Sequence, residues 1–188
     1  MITRRKFLIS SAVAAASMIS ARGLFAAPAR PPARMTLGFS TYGMASMKTE
    51  DAIMALAKIG YDTVELNIWP GRDADAAILS PDRARSMGQL LKRWDIRPSA
   101  LMESLKVEKE PAKHKAILER LRRAANLAHT LALETPPLVE TTLGGGKWDE
   151  VKELYQSRLA DWAEVGRETK TVMTIKPHRF GAMSRPEH

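Results

Sequence analysis

From residue 35 onward the apolar positions follow two alternating rhythms. Short runs at 35–40, 63–68, 96–102, 138–142 and 171–175 have the composition and length of strands. Between them, apolar residues recur every three or four positions, as in amphipathic helices. Ile53, Leu56 and Ala57 form one stripe, opened by Thr49 with Glu50 and Asp51 in the first turn and closed by Gly60. Ser80-Pro81 predicts a second start, with Ala84, Met87, Leu91 and Trp94 on one face. A long helix is predicted over 112–133 with the stripe Ile117, Leu121, Ala124, Ala128 and Leu131. Val151, Leu154, Tyr155, Leu159 and Trp162 mark the last one.

Strand starts near 36, 63, 96, 137 and 171 are separated by about 27 to 41 residues, the spacing of β/α units feeding a parallel sheet. The fold class is therefore α/β. Two architectures compete: an open doubly wound sheet, which five units complete, and a (β/α)8 TIM barrel, which needs roughly 250 residues. No glycine fingerprint follows the first strand, where Ser40-Thr41-Tyr42-Gly43-Met44 stands, and this weighs against a nucleotide-binding open sheet. Ser184, Arg185, Pro186 and Glu187 have the spacing of a capping box and announce a further helix. The expectation is a partial TIM barrel, with about five parallel strands and four to five helices, truncated at its C-terminal side. Strands one and five would then be open edges through which the chain could form a homo-oligomer.

The chain has 188 residues, enough for one core and too few for two ordinary domains. It lacks cysteine, which excludes a disulfide framework, a thiolate metal site and a cysteine nucleophile. The formal charge of +8 overstates basicity, because Arg4, Arg5, Lys6 and Arg22 lie in an acid-free start and carry half of it. The other basic residues are interleaved with acids, so nucleic acid is not expected as a partner.

The first 29 residues read as an export leader. A charged start precedes a small-residue apolar stretch, and Ala27-Pro28-Ala29 resembles a signal-peptidase site. Thr3-Arg4-Arg5-Lys6-Phe7-Leu8 resembles the twin-arginine motif, which implies passage through the twin-arginine translocation machinery and a periplasmic or otherwise exported location. The expected organisation is a signal peptide at 1–29, a proline-rich linker at 30–34 and one domain at 35–188.

In a β/α protein the chemistry sits at the carboxyl ends of the strands. Glu65, Asn67, Glu103, Glu140, Lys176 and His178 gather there by alternation. Carboxylates on facing strands can hold a divalent cation, which polarises a carbonyl while another carboxylate or a histidine moves the proton. Lys176 can instead supply positive charge directly. Trp69, just past the second strand, can line a sugar pocket or pack in the core. Gly144, Gly145 and Gly146 lack the Lys-Ser/Thr of a phosphate loop and read as a flexible connection. His114 and His129, 15 positions apart on the long helix, read as structural or surface residues.

Met35-Thr36-Leu37-Gly38-Phe39-Ser40, followed by Ala55-Leu56-Ala57-Lys58-Ile59-Gly60-Tyr61-Asp62-Thr63-Val64-Glu65-Leu66, resembles the opening of the sugar phosphate isomerase/epimerase family, the xylose isomerase-like TIM barrels. The resemblance covers residues 35–188, about the first five-eighths of such a barrel. It implies isomerisation or epimerisation of a sugar or sugar phosphate, assisted by a divalent metal such as Mn, Mg, Co or Zn. In that family strand five typically ends in Glu-x-His, whose glutamate is a ligand. Here the stretch reads Lys176-Pro177-His178, and an ammonium cannot ligate a metal. The metal ligands of this chain stay open. Glu65, Lys176 and His178 are the catalytic candidates, and Asn67, Trp69, Glu103 and Glu140 the substrate-binding ones. The competing readings are a non-catalytic carbohydrate-binding barrel, an inactive truncated product, and a DNA-repair endonuclease that the fold alone favours.

Overall fold

A computed structural model describes residues 35–133, 137–185 and 187–188; the leader and linker lie outside the described residues. Residues Thr36–His188 form one unit. Its elements are β1 (Gly38–Ser40), a 3-10 turn (Thr41–Met44), α1 (Thr49–Ile59), β2 (Thr63–Asn67), α2 (Pro81–Arg93), β3 (Arg97–Ser104), α3 (Pro111–Thr130), β4 (Leu138–Thr142), α4 (Trp148–Thr169) and β5 (Val172–Ile175).

The strands are all parallel and lie in chain order, β1-β2-β3-β4-β5. A doubly wound sheet reverses direction at a switch point, which this order does not do. Successive right-handed β/α units laid down in one direction instead build the wall of a (β/α)8 barrel. The fold is thus a partial TIM barrel with five parallel strands and four α-helices.

Alternation sorts the strand residues between two sides. Val64 and Leu66 of β2, Leu101 of β3 and Val139 of β4 enter the apolar core with helix residues such as Ile53, Leu56, Met87, Leu91, Ala124 and Ala128. A second cluster joins Leu121, Tyr155, Trp162 and Val165 beneath Met173 and Ile175 of β5. Glu65, Met102, Ser104 and Thr142 lie on the other side, which is left for a site. The β2–β3 register slips between Val64 and Glu65, where Val64 pairs with Pro98 and Glu65 with Ala100, so that Ser99 is a bulge residue.

Each helix returns to the sheet through the same corner. The residue in the left-handed region is Gly60, Asp95, Ala132 or Lys170, with φ of 102°, 51°, 54° and 53°. The following N–H reaches back five residues: Tyr61 to the Leu56 carbonyl (3.1 Å), Ile96 to Leu91 (3.2 Å), Leu133 to Ala128 (3.2 Å) and Thr171 to Gly166 (2.9 Å). This is the Schellman closure, which satisfies orphan carbonyls at a helix end. Glycine marks it at only one of the four.

One helix start differs from expectation in detail. Ser80 caps α2 as read, its Oγ accepting the Arg83 N–H. Thr49 is the first residue of α1 rather than its cap, and its N–H is satisfied by Asp73 Oδ2 at 2.7 Å. No helix follows Ser184 among the described residues. The Ser184 N–H goes to His188 Nδ1 (3.1 Å) in a turn, and Pro186 lies outside the described residues.

Candidate active site

The carboxyl ends of all five strands open onto one cleft of about 490 Å³. Ser40 from β1, Glu65 from β2, Met102 and Ser104 from β3, Thr142 from β4 and Lys176 after β5 all line it. Ser40 Oγ accepts the Tyr42 N–H at 3.3 Å and so caps the turn that carries Tyr42 to the rim. There the Tyr42 ring meets Trp69, with centroids 5.3 Å apart, and the Arg72 guanidinium lies 5.6 Å from the Trp69 ring. The indole Nε1 of Trp69 is buried without a hydrogen-bond partner.

The opposite wall comes from β4, β5 and the segments after them. The glycine connection after β4 is tied rather than free: the Tyr155 hydroxyl lies 3.2 Å from the Leu143 carbonyl and 3.0 Å from that of Gly145, and the Ala182 N–H donates to the Gly144 carbonyl. The Lys176 N–H donates to the Thr141 carbonyl at 2.9 Å, which prolongs the sheet one residue past β5. Its Nζ lies 3.1 Å from Glu140 Oε1. His178 also lines the cleft, and its Nδ1 accepts the Phe180 N–H.

Glu65, Trp69, Lys176 and His178 therefore share one cavity, and Glu140 joins them through Lys176. Three of the expected residues do not line it: Glu140, which reaches it only through Lys176, Asn67 and Glu103. Asn67 is buried: its main-chain N–H donates to Thr41 Oγ1 (2.8 Å), its side-chain Oδ1 accepts the Trp69 N–H (3.1 Å), and its Nδ2 has no hydrogen-bond partner. It positions Trp69 and borders a separate small cavity beside Thr41 and Asp73. Glu103 is fully buried and turned away from the cleft. Met102 and Ser104 face the cleft, so the residue between them faces the helices.

There Glu103 meets Arg120 of α3, with Oε1 2.7 Å from Nη2. The contact is an ion pair without hydrogen-bond alignment, since Oε1 lacks an aligned donor. The same guanidinium donates to the Ile68 carbonyl (2.6 Å) and to Asp75 Oδ1 (2.9 Å). Asp75 in turn accepts the N–H groups of Gly71 and Ala77. Burial raises the Glu103 carboxyl above its ordinary value, and the pull of Arg120 only partly offsets this. Burial acts in the same sense on Asp75, but the Ala77 and Gly71 N–H groups and Arg120 outweigh it and hold that carboxyl below its usual range. The triad anchors the segment that begins with Ile68-Trp69. Sequence reasoning missed Arg120 because it sits beside Leu121 on a helix whose apolar stripe draws the eye.

The donors described at the cleft do not by themselves fit a divalent metal. Among the described residues no group of three or more His, Asp or Glu could hold an ion. Of the carboxylates at the mouth, Glu140 is occupied by the Lys176 ammonium. A cation brought to Glu140 would be repelled by that ammonium, by about 4 kcal/mol per unit charge at 4 Å and effective dielectric 20, less at this half-exposed position.

No protein-family model matches the sequence, and no curated protein matches it. Solved structures do share its fold. The IolI protein with a bound zinc atom is 14% identical with a TM-score of 0.64, over 79% of this chain and 54% of that one. The D-allulose 3-epimerase from Methylomonas sp., in complex with D-allulose, is 16% identical with a TM-score of 0.60, over 79% of this chain and 54% of that one. The 3-keto-D-glucoside 4-epimerase YcjR from E. coli is 11% identical with a TM-score of 0.60, over 79% and 58%. The chain spans about half the length of these structures. At such identities the likeness establishes the fold alone, that of a TIM barrel.

Proposed function

We propose that the cleft is a carbohydrate site of the isomerase/epimerase kind, in which a proton is moved next to a sugar carbonyl, and that the protein is exported by the twin-arginine route. The observation that carries the reading is the convergence of Glu65, Lys176 and His178 on one cavity walled by Tyr42 and Trp69. The ligand named with one structure of the same fold, D-allulose, supports a sugar as the substrate class. The twin-arginine-like start supports export.

In this reading Glu65 is the base. Its carboxylate removes the proton from the carbon beside the carbonyl, the C–H pair becomes the enediolate double bond, and the carbonyl π pair moves to oxygen. The hydroxyl proton of the enediolate passes from its oxygen to the former carbonyl oxygen, and the carboxylic acid returns its own proton to the former carbonyl carbon, which completes an isomerisation with the carbonyl moved by one carbon. Return by His178 to the other face of the same carbon completes an epimerisation, with Glu65 handing its proton to solvent.

The Lys176–Glu140 pair also favours a second reading, a barrel that binds carbohydrate without turnover, because it presents a fixed charge pair suited to hydroxyl groups. Incubation with ketoses and aldoses in deuterated water separates the two. Deuterium entering beside the carbonyl, reduced about 100-fold or more in Glu65→Gln, supports proton transfer. Sugar binding with no deuterium uptake supports the binding reading, and neither signal refutes both.

A further inference from the structure

Resting on the proton-transfer reading above, we propose that the positive charge acting on the substrate's oxygen in this cleft is the Lys176 ammonium, braced by Glu140, and that the transfer needs no divalent cation.

The geometry supports this in three steps. Lys176 is fixed at both ends of its reach. Its N–H is bonded to the Thr141 carbonyl at 2.9 Å, and its Nζ lies 3.1 Å from Glu140 Oε1. Glu140 pairs in register with Thr174 of β5, and its side chain is 22% exposed against 48% for Lys176. The carboxylate is thus rooted in the sheet while the ammonium stands further out, toward the cleft it lines.

The ammonium also has donors to spare. It carries three N–H groups, and Glu140 is the only partner recorded for it among the described residues. The others can point at an oxygen that gains charge. This is what electrostatic catalysis requires: a preset donor at the place where negative charge develops.

Finally, the same pair answers the need that a metal would otherwise meet. Glu140 is neutralised by an internal cation, and no group of three metal-binding side chains lies among the described residues. As Glu65 takes the proton and the carbonyl π pair moves to oxygen, the oxyanion forms beside Nζ. When a proton returns to the same carbon the pair moves back and the carbonyl re-forms, and the ammonium is unchanged. No electron is gained or lost and no co-reactant is consumed. Lys176 is the catalytic residue in this step and Glu140 a positioning residue.

The test uses the full chain in the deuterium-exchange assay as purified, after exhaustive chelation, and after addition of manganese, cobalt, magnesium or zinc. Metal content is measured in parallel by mass spectrometry. The expected result is exchange that survives chelation within about two-fold, with far less than one metal ion per chain. Lys176→Met should lose about 100- to 1,000-fold in kcat with sugar affinity nearly kept, and Lys176→Arg should recover part of the loss. Glu140→Gln should lower kcat less than Lys176→Met does, because the ammonium remains. Circular dichroism on each variant separates misfolding from lost chemistry. Exchange abolished by chelation and restored by one of the metals, or one tightly held divalent ion per chain, overturns the inference and leaves proton transfer standing. Sugar binding without exchange under every condition overturns proton transfer itself, and the inference with it.

Discussion

Replacing Arg120 by methionine isolates the buried charges behind the cleft. Arg120 touches Glu103, Asp75 and the Ile68 carbonyl within 3 Å, and its own side chain is only 14% exposed. Methionine keeps most of the apolar stem but strands Glu103, which is fully buried. Removing one partner of such a pair costs about 3–5 kcal/mol, because the other charge stays out of water. For a protein of this size that lowers Tm by roughly 6–20 °C, taking about 2–4 °C per kcal/mol. Glu103→Gln should cost less, about 1–3 kcal/mol, since Arg120 retains Asp75 and the carbonyl. Glu103→Met combined with Arg120→Met should recover much of the single loss, since no unpaired charge remains at Glu103.

The deficit also depends on pH, with a fixed sign. Burial already raises Glu103 above the ordinary carboxyl value of 4.5, and Arg120 opposes it. Without Arg120, burial acts alone. A carboxyl raised in the folded state favours folding below its unfolded value and loses that contribution as pH climbs through its folded value. The Asp75 carboxyl, held low by the Ala77 and Gly71 N–H groups and by Arg120 against the effect of burial, gives the intact protein its contribution above the unfolded value and loses it in acid. Both trends make Arg120→Met most damaging near neutrality and mildest near about pH 4. Thermal melts by circular dichroism across that range measure the effect. A loss under about 1 kcal/mol, or one that does not shrink in acid, would refute the reasoning.

Two further outcomes concern the corners and the close contacts. Gly166→Ala should destabilise the protein by about 1–3 kcal/mol in chemical denaturation, because a Cβ there would lie 2.8 Å from the Thr171 carbonyl oxygen; unchanged stability would show that α4 shifts freely on β5. Ala132→Gly should raise stability by about 0.5–1 kcal/mol, the left-handed strain of alanine (about 1–2) exceeding the entropy cost of glycine (about 0.5–1). A lower midpoint would contradict that balance.

Much of the fold is legible in the residues because each unit is written in local terms. Leu138 to Thr142 alternates as a strand and is one, Ser80-Pro81 starts a helix by capping, and Gly60 ends one by adopting φ above zero. The three other corners are hidden, since Asp95, Ala132 and Lys170 carry no glycine signal and their left-handed backbone is imposed by the sheet the chain must rejoin. At the site, alternation tells which residues share a side but not which side looks into the cleft. Glu103 shares its side with Leu101, a core residue, and that company points to the helices. Ser40, Met102, Ser104 and Thr142 escape notice for a different reason: they are uncharged and become site residues only because five separate strands stop at one level.

The chain-order sheet has one more consequence. Among the described residues β1 and β5 do not pair, so they are joined there only through the three strands between them. A molecule resting on both Ser40 and His178 would act as a clasp across that ribbon. It would bind only when every intervening rung is in place, so saturation should narrow the melting transition as well as raise it, and fraying at either end should loosen the grip at the other.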